Sequence, residues 1–482
     1  MLMRRGVGSP ALVLVVMCAG MFLVLLDVTV VNVALPSIRG SLGVGIAGAQ
    51  WVVDGYALAI AGLLLVSGML GDGFGHRRVV LAGMVLFGVA SLGCALAPGL
   101  GVLVASRAVQ GAGAALLLPG SMAVIAGVYP DSAARARALG VWSAVSSLAL
   151  PAGPLLGGAL VEWGGWRLVF ALNVPVVLAA VVGVRMLVPD LPGDRGRRVR
   201  IGVLASAVSG LTAVVFAVIE AGQSGVDVLV LAALVVAVIA LWVAGRRIPR
   251  ALLGNRPFLA ANSVALLMNL GMNGTLFVLT LYLQNLGGNS PARTGLLLLP
   301  MSVPLVLLAP VAGWMVARFG PRVPMLCGAV IVAAGSGFWG LASPDGGYAE
   351  VAPVLVACGV GAGLLTTSVV AAAVGALGPQ RSGLASGVNN TMRQTGTALG
   401  VAVFGAVAGS PSAPADFTAG LHQLAVVGVL LWLVAITFSV LAGNSAQSTQ
   451  RATDRVPAAR CGRSRRRRPV LRAGRRARSR RG

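Results

Sequence analysis

Long apolar runs separated by short polar segments make up most of this chain. A helix that crosses a bilayer needs about 20 mostly apolar residues, and fourteen runs come close to or exceed that length. They cover residues 11–34, 46–70, 79–97, 100–127, 138–160, 167–188, 201–221, 228–245, 258–284, 293–317, 322–342, 351–376, 383–409 and 420–442. The pattern predicts an all-α polytopic membrane protein with fourteen transmembrane helices.

The charge distribution predicts the orientation of these helices. Hydrophobic residues make up 57% of the chain and charged residues only 10%, and the net charge of +24 comes from arginine, because the sequence contains no lysine. The arginines lie in alternate loops, for example at Arg77 and Arg78, and in the tail, whereas the other loops carry few. By the positive-inside rule both termini are cytoplasmic in a multi-pass protein of the plasma membrane. This distribution argues against nucleic acid as the partner.

The last 39 residues, 444–482, form a low-complexity cytoplasmic tail that we expect to be disordered. Its densest point is a run of four arginines at 465–468. Two interpretations remain open. The tail either binds anionic lipids of the inner leaflet, at about 1 kcal/mol per basic residue near the surface, or has no specific task.

Internal repetition divides the chain into two halves. Segments 68–77 and 313–322, which follow the second and tenth runs, share Gly, Phe, Gly and Arg at a constant offset of 245. A second match, at an offset of 247, pairs Gly140, Ala149 and Gly153 with Gly387, Gly396 and Gly400. The sequence therefore predicts six-helix bundles at 11–188 and 258–442, with two inserted helices at 201–245. Parallel repeats place a substrate path at their interface near the membrane midplane.

A glycine- and proline-rich segment interrupts the fifth run. Gly153, Pro154, Gly157 and Gly158 combine positions that allow close backbone approach with a residue that removes a backbone donor. The segment is interpreted either as a hinge or as ordinary small-residue packing, and the two interpretations are compatible.

Polar residues within the apolar runs mark a candidate path. The ninth run carries a stripe whose members are spaced by seven, four, seven and four residues, so they share one helical face. These are Asn262, Asn269, Asn273, Thr280 and Gln284. They line an aqueous cavity or bond neighbouring helices, and we favour the cavity. A second face, in the thirteenth run, carries Asn390, Arg393, Gln394 and Thr397.

Two acids and two arginines lie inside the runs. They are Asp27, Asp54, Arg107 and Arg393, and Gln110 shares a helical face with Arg107. One interpretation is static pairing, since polar membrane residues are usually satisfied by partners. The other is proton coupling, because burial favours the neutral form of a carboxyl whereas a nearby guanidinium favours the charged form. The sequence does not separate a titrating aspartate from a structural one.

Residues and motifs that the sequence lacks exclude ATP hydrolysis at a P-loop as the source of energy for transport. Without lysine the chain cannot contain the phosphate-binding loop of P-loop ATPases. It also shows no catalytic Ser/His/Asp arrangement and no metal-ligand cluster. We therefore expect a non-enzyme with no cofactor and no metal, driven by an ion gradient.

Several motifs in fixed order resemble those of the major facilitator superfamily. They are Asp27 to Pro36, the segment 68–78, Arg107 to Gly111, and Gly153 to Gly158. Residues 51–54 and 166–175 further resemble its fourteen-helix drug:proton antiporters, which export antibiotics and lipophilic cations. The resemblance covers nearly all of residues 11–442.

The resemblance implies roles for individual residues. The cytoplasmic gate would contain Gly68, Asp72, Gly75, Arg77 and Arg78. Arg107 would belong to the proton-transfer motif, and the run from Gly153 to Gly158 to the antiport motif. The sequence departs from the family at Gly73 and His76, where arginine is usual, and at Ala149, where glycine is usual.

The expected function is proton-coupled export of antibiotics or other small lipophilic drugs by alternating access, performed by a monomer in the lipid bilayer. Drug and protons would be its partners, with Asp27, Asp54, Arg107, Gln110, Asn269, Asn273 and Arg393 along the path. An uptake symporter for a metabolite, or a lipid translocator, remains the alternative on the same fold. A membrane receptor or scaffold is the third hypothesis, and the short loops disfavour it.

Overall fold

A computed structural model describes residues 9–129, 131–189, 201–246, 254–343, 347–377 and 382–443. Its helices are α1 (Pro10–Leu42), α2 (Ile46–Phe74), α3 (His76–Ala95), α4 (Leu100–Val128), α5 (Ser132–Gly164), α6 (Trp166–Ala171), α7 (Asn173–Leu187), α8 (Ile201–Ser224), α9 (Val228–Gly245), α10 (Arg256–Leu281), α11 (Pro291–Leu297), α12 (Leu299–Phe319), α13 (Arg322–Ser336), α14 (Tyr348–Leu377), α15 (Ser382–Ala408) and α16 (Pro414–Gly443). A π-helical turn, Tyr282–Leu286, extends α10, and a 3₁₀ turn, Gly337–Leu341, extends α13. The predicted tail, 444–482, lies outside the described residues.

The all-α architecture is confirmed, and the count of spans is partly resolved. Ten helices in the described ranges are long and apolar enough to cross a membrane, and an eleventh is obtained if the two segments of α12 form one span. Each predicted run overlaps at least one helix. Fourteen spans therefore remain a prediction, whereas a multi-pass membrane protein is established.

Two predicted runs, 167–188 and 293–317, are broken in the structure. Proline accounts for the irregularity of 293–317. Run 293–317 divides at Leu298 into α11 and α12, and Pro300, in the first turn of α12, lacks the backbone N–H that would continue the hydrogen bonds of α11. The same helix bends by 42° between Leu307 and Ala309, where Pro310 removes a helical hydrogen bond. Run 167–188 divides at Leu172 into α6 and α7.

The packing of the two halves repeats. In the first half α1 packs on α5, and α4 packs on both α2 and α3; in the second, α10 packs on α15, and α14 packs on both α12 and α13. Gly75 and Gly320, 245 residues apart, link equivalent helices with φ of 92° and 76°. Both values lie in the left-handed region, which glycine adopts without strain. The repeat read from the sequence thus has a structural counterpart, while the domain boundaries stay predictions.

The inserted helix α8 lies across the seam between the halves. It packs against α2 of the first half, α15 of the second and its own neighbour α9. Val215 and Ile219 of α8 form one apolar cluster with Ala57 and Leu58 of α2 and Ala398 and Ala402 of α15. In α9 the buried residues Val230, Ala237 and Ala244 recur every seven positions, so one narrow stripe packs inward. The remaining surface of α9 suits contact with lipid.

Candidate functional site

The first half holds an ion pair in its interior. Arg107 Nη1 on α4 hydrogen-bonds Asp27 Oδ2 on α1, and these residues are 1% and 2% exposed. Arg107 Nε also donates to the carbonyl oxygen of Val52 at 3.0 Å. Among the four charged residues predicted inside the spans, the structure therefore brings together one acid and one base.

Amide and hydroxyl groups complete a network around this pair. Gln110 Nε2 lies 3.1 Å from Asp27 Oδ1 and 2.8 Å from Ser91 Oγ, and Gln110 Oε1 accepts from Arg107 at 2.7 Å. Asn173 Nδ2, on α7, reaches Asp27 Oδ1 at 3.3 Å. A fully satisfied buried network of this kind makes its members rigid. The geometry favours static pairing for Asp27 and Arg107.

An aromatic wall shields the pair. The Arg107 guanidinium carbon lies 4.2 Å from the centre of the Tyr56 ring, close enough for a cation–π interaction. Tyr56 in turn donates to the carbonyl oxygen of Val24 at 3.1 Å. The site-residue prediction did not include Ser91 or Asn173. A lone serine in an apolar run gives little signal, and Asn173 lies at the break between α6 and α7, which periodicity does not reveal.

Asp54 stands apart from this network. It is 0% exposed, and neither carboxylate oxygen has a hydrogen-bond partner among the described residues. One turn earlier, Gln50 donates to the carbonyl oxygens of Val401 and Ala402 on α15, at 3.2 and 3.1 Å. One turn later, Leu58 joins the apolar cluster that includes α15. Residues spaced by four share a helical face, so Asp54 lies at the seam between the halves.

The polar stripe of α10 is divided between two environments. Asn262 and Thr280 are buried, and Asn262 accepts from Asn389 of α15 at 3.3 Å, which is an interhelical bond. Asn269 and Asn273 are only half-buried. Asn273 donates to Thr397 of α15 at 3.2 Å. Bonding between helices thus accounts for part of the stripe, and its middle retains accessible side chains.

The neighbouring face of α15 carries polar groups without partners. Arg393 forms no hydrogen bond or ion pair with any described residue, and its Nε is buried. Asn390 and Gln394 are half-buried, and their side chains make no hydrogen bond within the described ranges. These three residues therefore make no side-chain bond to the described protein, and one of their polar atoms, Arg393 Nε, is buried without a partner.

The glycine segment of α5 contacts two different helices. A side chain at Gly153 would collide with Thr29 of α1, and one at Gly157 would lie 3.0 Å from the carbonyl oxygen of Val30. A side chain at Gly158 would instead collide with the carbonyl oxygen of Pro291, at the start of α11 in the other half. Reciprocally, one at Gly295 of α11 would collide with the carbonyl oxygen of Pro154. Small-residue packing is therefore real in this segment, and it joins the halves.

Polar contacts reinforce this junction. Glu162 Oε2 accepts from Ser290 Oγ at 3.1 Å and from the backbone N–H of Ala292 at 3.3 Å. Gln284 Nε2 donates to the carbonyl oxygen of Val33 at 3.0 Å. These contacts and those of Gln50 lie towards the end of the bundle that the charge pattern predicts to be outside. These hydrogen bonds join the two halves at the predicted outer end.

The residues of the expected cytoplasmic gate lie at the opposite end. Arg77 donates to the carbonyl oxygen of Arg185, in the last turn of α7, at 2.7 Å. Gly75 supplies the turn between α2 and α3, and Arg78 is exposed on α3. Gly68 and Asp72 are helical in α2, but their side-chain environments lie outside the described structure. The bond of Arg77 is internal to the first half and does not itself bridge the halves.

Known proteins match this chain over most of its length. A family model described as Major Facilitator Superfamily matches residues 17–401. The multidrug resistance protein Stp of Mycobacterium tuberculosis is 34% identical over 83% of this chain and 76% of its own. The cephamycin export protein of Amycolatopsis lactamdurans is 37% identical over 90% of this chain and 92% of its own. A peptide transporter bound to sulfate shares the fold, with a TM-score of 0.67 at 18% identity over 91% of this chain and 96% of its own.

Proposed function

This chain belongs to the Major Facilitator Superfamily, and on that premise we propose that it exports antibiotics or other small lipophilic drugs across the cell membrane in exchange for protons. The names of its relatives, a multidrug resistance protein and an antibiotic export protein, support drug export. A transporter explains the chain better than an enzyme does. We propose that both termini are cytoplasmic and that the protein works as a monomer without a cofactor.

Asp54 is the proposed proton carrier. An ionised carboxylate without a partner in a dry interior is costly, and such a group becomes neutral instead. Asp54 is fully buried and has no partner for either oxygen, which suits a carboxyl group that holds a proton in this state. It also lies on the α2 face that packs against α15, where separation of the halves would expose it. This one observation carries the proposal.

Asp27 has a supporting role in this scheme. Its charge is compensated by Arg107, and its second oxygen accepts from Gln110 and Asn173. Proton release and uptake at Asp27 would require this network to be broken first. We therefore assign proton exchange to Asp54, and the architecture of the first half to Asp27 and Arg107.

The contacts at the predicted outer end support alternating access as the mechanism. The contacts of Gly158, Glu162 and Gln284 form the proposed outer gate, which is closed here. Cargo would then enter from the cytoplasmic side. One proton moving down about 100 mV supplies roughly 2.3 kcal/mol, and every 1.4 kcal/mol is about tenfold in concentration. A cargo without net charge can therefore be held at a gradient of roughly forty-fold.

Everted membrane vesicles from a pump-deficient bacterial host test this function. Respiration acidifies the vesicle interior, and a quenched acridine dye reports the pH gradient. Addition of a cargo, chosen from a panel of neutral, cationic and acidic antibiotics, should release protons and restore fluorescence only in vesicles that contain the protein. The Asp54→Asn variant should lose this response.

The matched control is Asp416→Asn, which removes an exposed carboxylate from the first turn of α16 and should respond like wild type. A symporter would instead move protons in the same direction as the cargo, so cargo that enters the vesicles would not restore fluorescence. A full response from the Asp54→Asn variant would remove Asp54 as the carrier. No response to any compound that the protein protects against in cells would remove proton exchange.

A further inference from the structure

An arginine without a partner among the described residues lies in the second half, on α15, the helix that packs against α2. Arg393 is half-buried on α15, and the described residues supply no carboxylate within ion-pair distance. A buried or partly buried charge is normally paired. Because transport proteins use such residues for substrates, the missing partner of Arg393 is most simply a group on the cargo.

The surroundings of Arg393 specify the chemistry of that group. A guanidinium presents only donors, in a planar arrangement that matches a carboxylate. Asn390 and Gln394, three residues before and one residue after it, add amide donors that are also without partners in the described structure. Asn269 and Asn273 of α10 lie beside this face, since Asn273 bonds Thr397 one turn beyond Arg393. The cluster is rich in donors and contains no acid.

The position of Asp54 adds a second requirement. Asp54 lies between the contacts of Gln50 with Val401 and of Leu58 with the cluster that contains Ala398. The part of α15 that faces Asp54 is therefore about five residues beyond Arg393, or ~8 Å along the axis of α15. A small drug is long enough to reach both side chains once the halves separate.

We propose that the cargo is amphoteric: an acidic group binds Arg393, Asn390 and Gln394, and a basic group competes with the proton at Asp54. This inference rests on the proposed function, because the second contact assumes that Asp54 carries the proton. An acid alone would bind best when Asp54 is protonated, which would couple its movement to the proton in the same direction. A basic group on the same molecule displaces that proton, as exchange requires.

Equilibrium binding to the full-length protein in lipid nanodiscs tests the proposal without any gradient. Three matched probes are used: 4′-(aminomethyl)biphenyl-4-carboxylic acid, its carboxamide, which keeps only the amine, and its N-acetyl derivative, which keeps only the acid. Wild type should bind the amphoteric probe more tightly than either one-ended analogue. Arg393→Gln should weaken binding of both carboxylate probes at least about tenfold, since it removes hydrogen bonds to a charged group. It should change binding of the carboxamide less than about threefold.

Two further variants make the pattern specific. Asp54→Asn should weaken binding of the amine-bearing probes and spare the N-acetyl acid. Arg256→Gln, at the exposed start of α10, should change none of the three affinities. Equal weakening of all three probes by Arg393→Gln, or no preference of wild type for the amphoteric probe, overturns the proposal. Proton-driven export of some other compound by the same preparation would leave the proposed function standing, so the two failures are distinguishable.

Discussion

Arg107 on α4 and Asp27 on α1 are joined through an ion pair that is closed to solvent on every side. The pair is bonded by Gln110 and Asn173 and covered by the ring of Tyr56. Burying two charges is costly, and the cost is met only while both partners are present. This arrangement fixes how α1, α2, α4 and α7 meet, and it separates Asp27 from the exchange chemistry assigned to Asp54.

The first prediction concerns the stability of this pair. Arg107→Gln leaves Asp27 without its counter-charge, and breaking a buried pair typically costs about 3–5 kcal/mol. The double variant Asp27→Asn, Arg107→Gln removes both charges and should melt closer to wild type than Arg107→Gln alone. The measurement is the apparent melting temperature of the detergent-solubilised protein, from fluorescence-detected size exclusion after heating. If the decrease in melting temperature of the double variant equals the sum of the decreases in the two single variants, the side chains are energetically independent.

The second prediction concerns the pH dependence of cargo binding. If cargo and proton compete at Asp54, cargo affinity should fall as the pH falls, by up to about tenfold per pH unit for one exchanged proton. Asp54→Asn resembles the protonated carboxyl, so it should bind cargo weakly and with no slope over the same pH range. The measurement is the dissociation constant of a cargo from the vesicle panel, at several pH values. Asp416→Asn should keep the slope of wild type, and a wild-type slope in Asp54→Asn would contradict competition at this residue.

Much of this arrangement could be predicted from the sequence, for physical reasons that differ between residues. Asp27 and Arg107 interrupt apolar runs, so their presence inside the membrane was visible, and the resemblance to the superfamily is confirmed by the family match over residues 17–401. Which acid pairs with Arg107 depends on how α1, α2 and α4 rotate against each other. Hydrophobic periodicity does not fix that rotation, so Asp54 and Asp27 were indistinguishable.

Other features had signals that were ambiguous. The stripe of α10 predicted a polar face, but Asn262 bonds Asn389 while Asn269 remains accessible, and spacing alone cannot separate these two outcomes. The contact of Glu162 gives no local signal in the sequence, because its partner Ser290 is 128 residues away. The sequence therefore predicted the helices and the repeat well, and predicted contacts between the halves poorly.

The third prediction concerns Gly158 as a contact of the proposed outer gate. Gly158→Ala would push against the carbonyl oxygen of Pro291 in the other half, and overpacking typically costs about 1–3 kcal/mol. That cost falls only on the state in which the outer end is closed, so the open state should gain about tenfold or more in population relative to it. A cysteine at Gln284, which lies at the seam, should then react faster with a membrane-impermeant thiol reagent added from outside, in a background without the native cysteines.

Two glycines serve as controls for this measurement. Gly101→Ala, near the start of α4, places its methyl group in open space and should not change the labelling rate. Gly153→Ala presses on Thr29 within the first half, so it should lower stability and leave the labelling rate close to that of wild type. An equal effect of Gly153→Ala and Gly158→Ala on labelling would indicate general loosening and not a gate.

The last prediction is that the outer end must separate in every transport cycle. Glu162 and Ser290 join the halves there, so cysteines at both positions, linked by a short bifunctional thiol reagent, should hold the outer end closed and reduce proton-coupled export to background. The native cysteines are first replaced. The control pair is Asn255 with Ala376, which are bonded within the second half at 2.9 Å; linking cysteines at these positions should leave export nearly unchanged, because alternating access moves the halves largely as rigid bodies. A reducible reagent allows the same preparation to be measured before linkage, after linkage and after the link is reduced. Export that continues at the wild-type rate after complete linkage of positions 162 and 290 would show that this contact is not a gate.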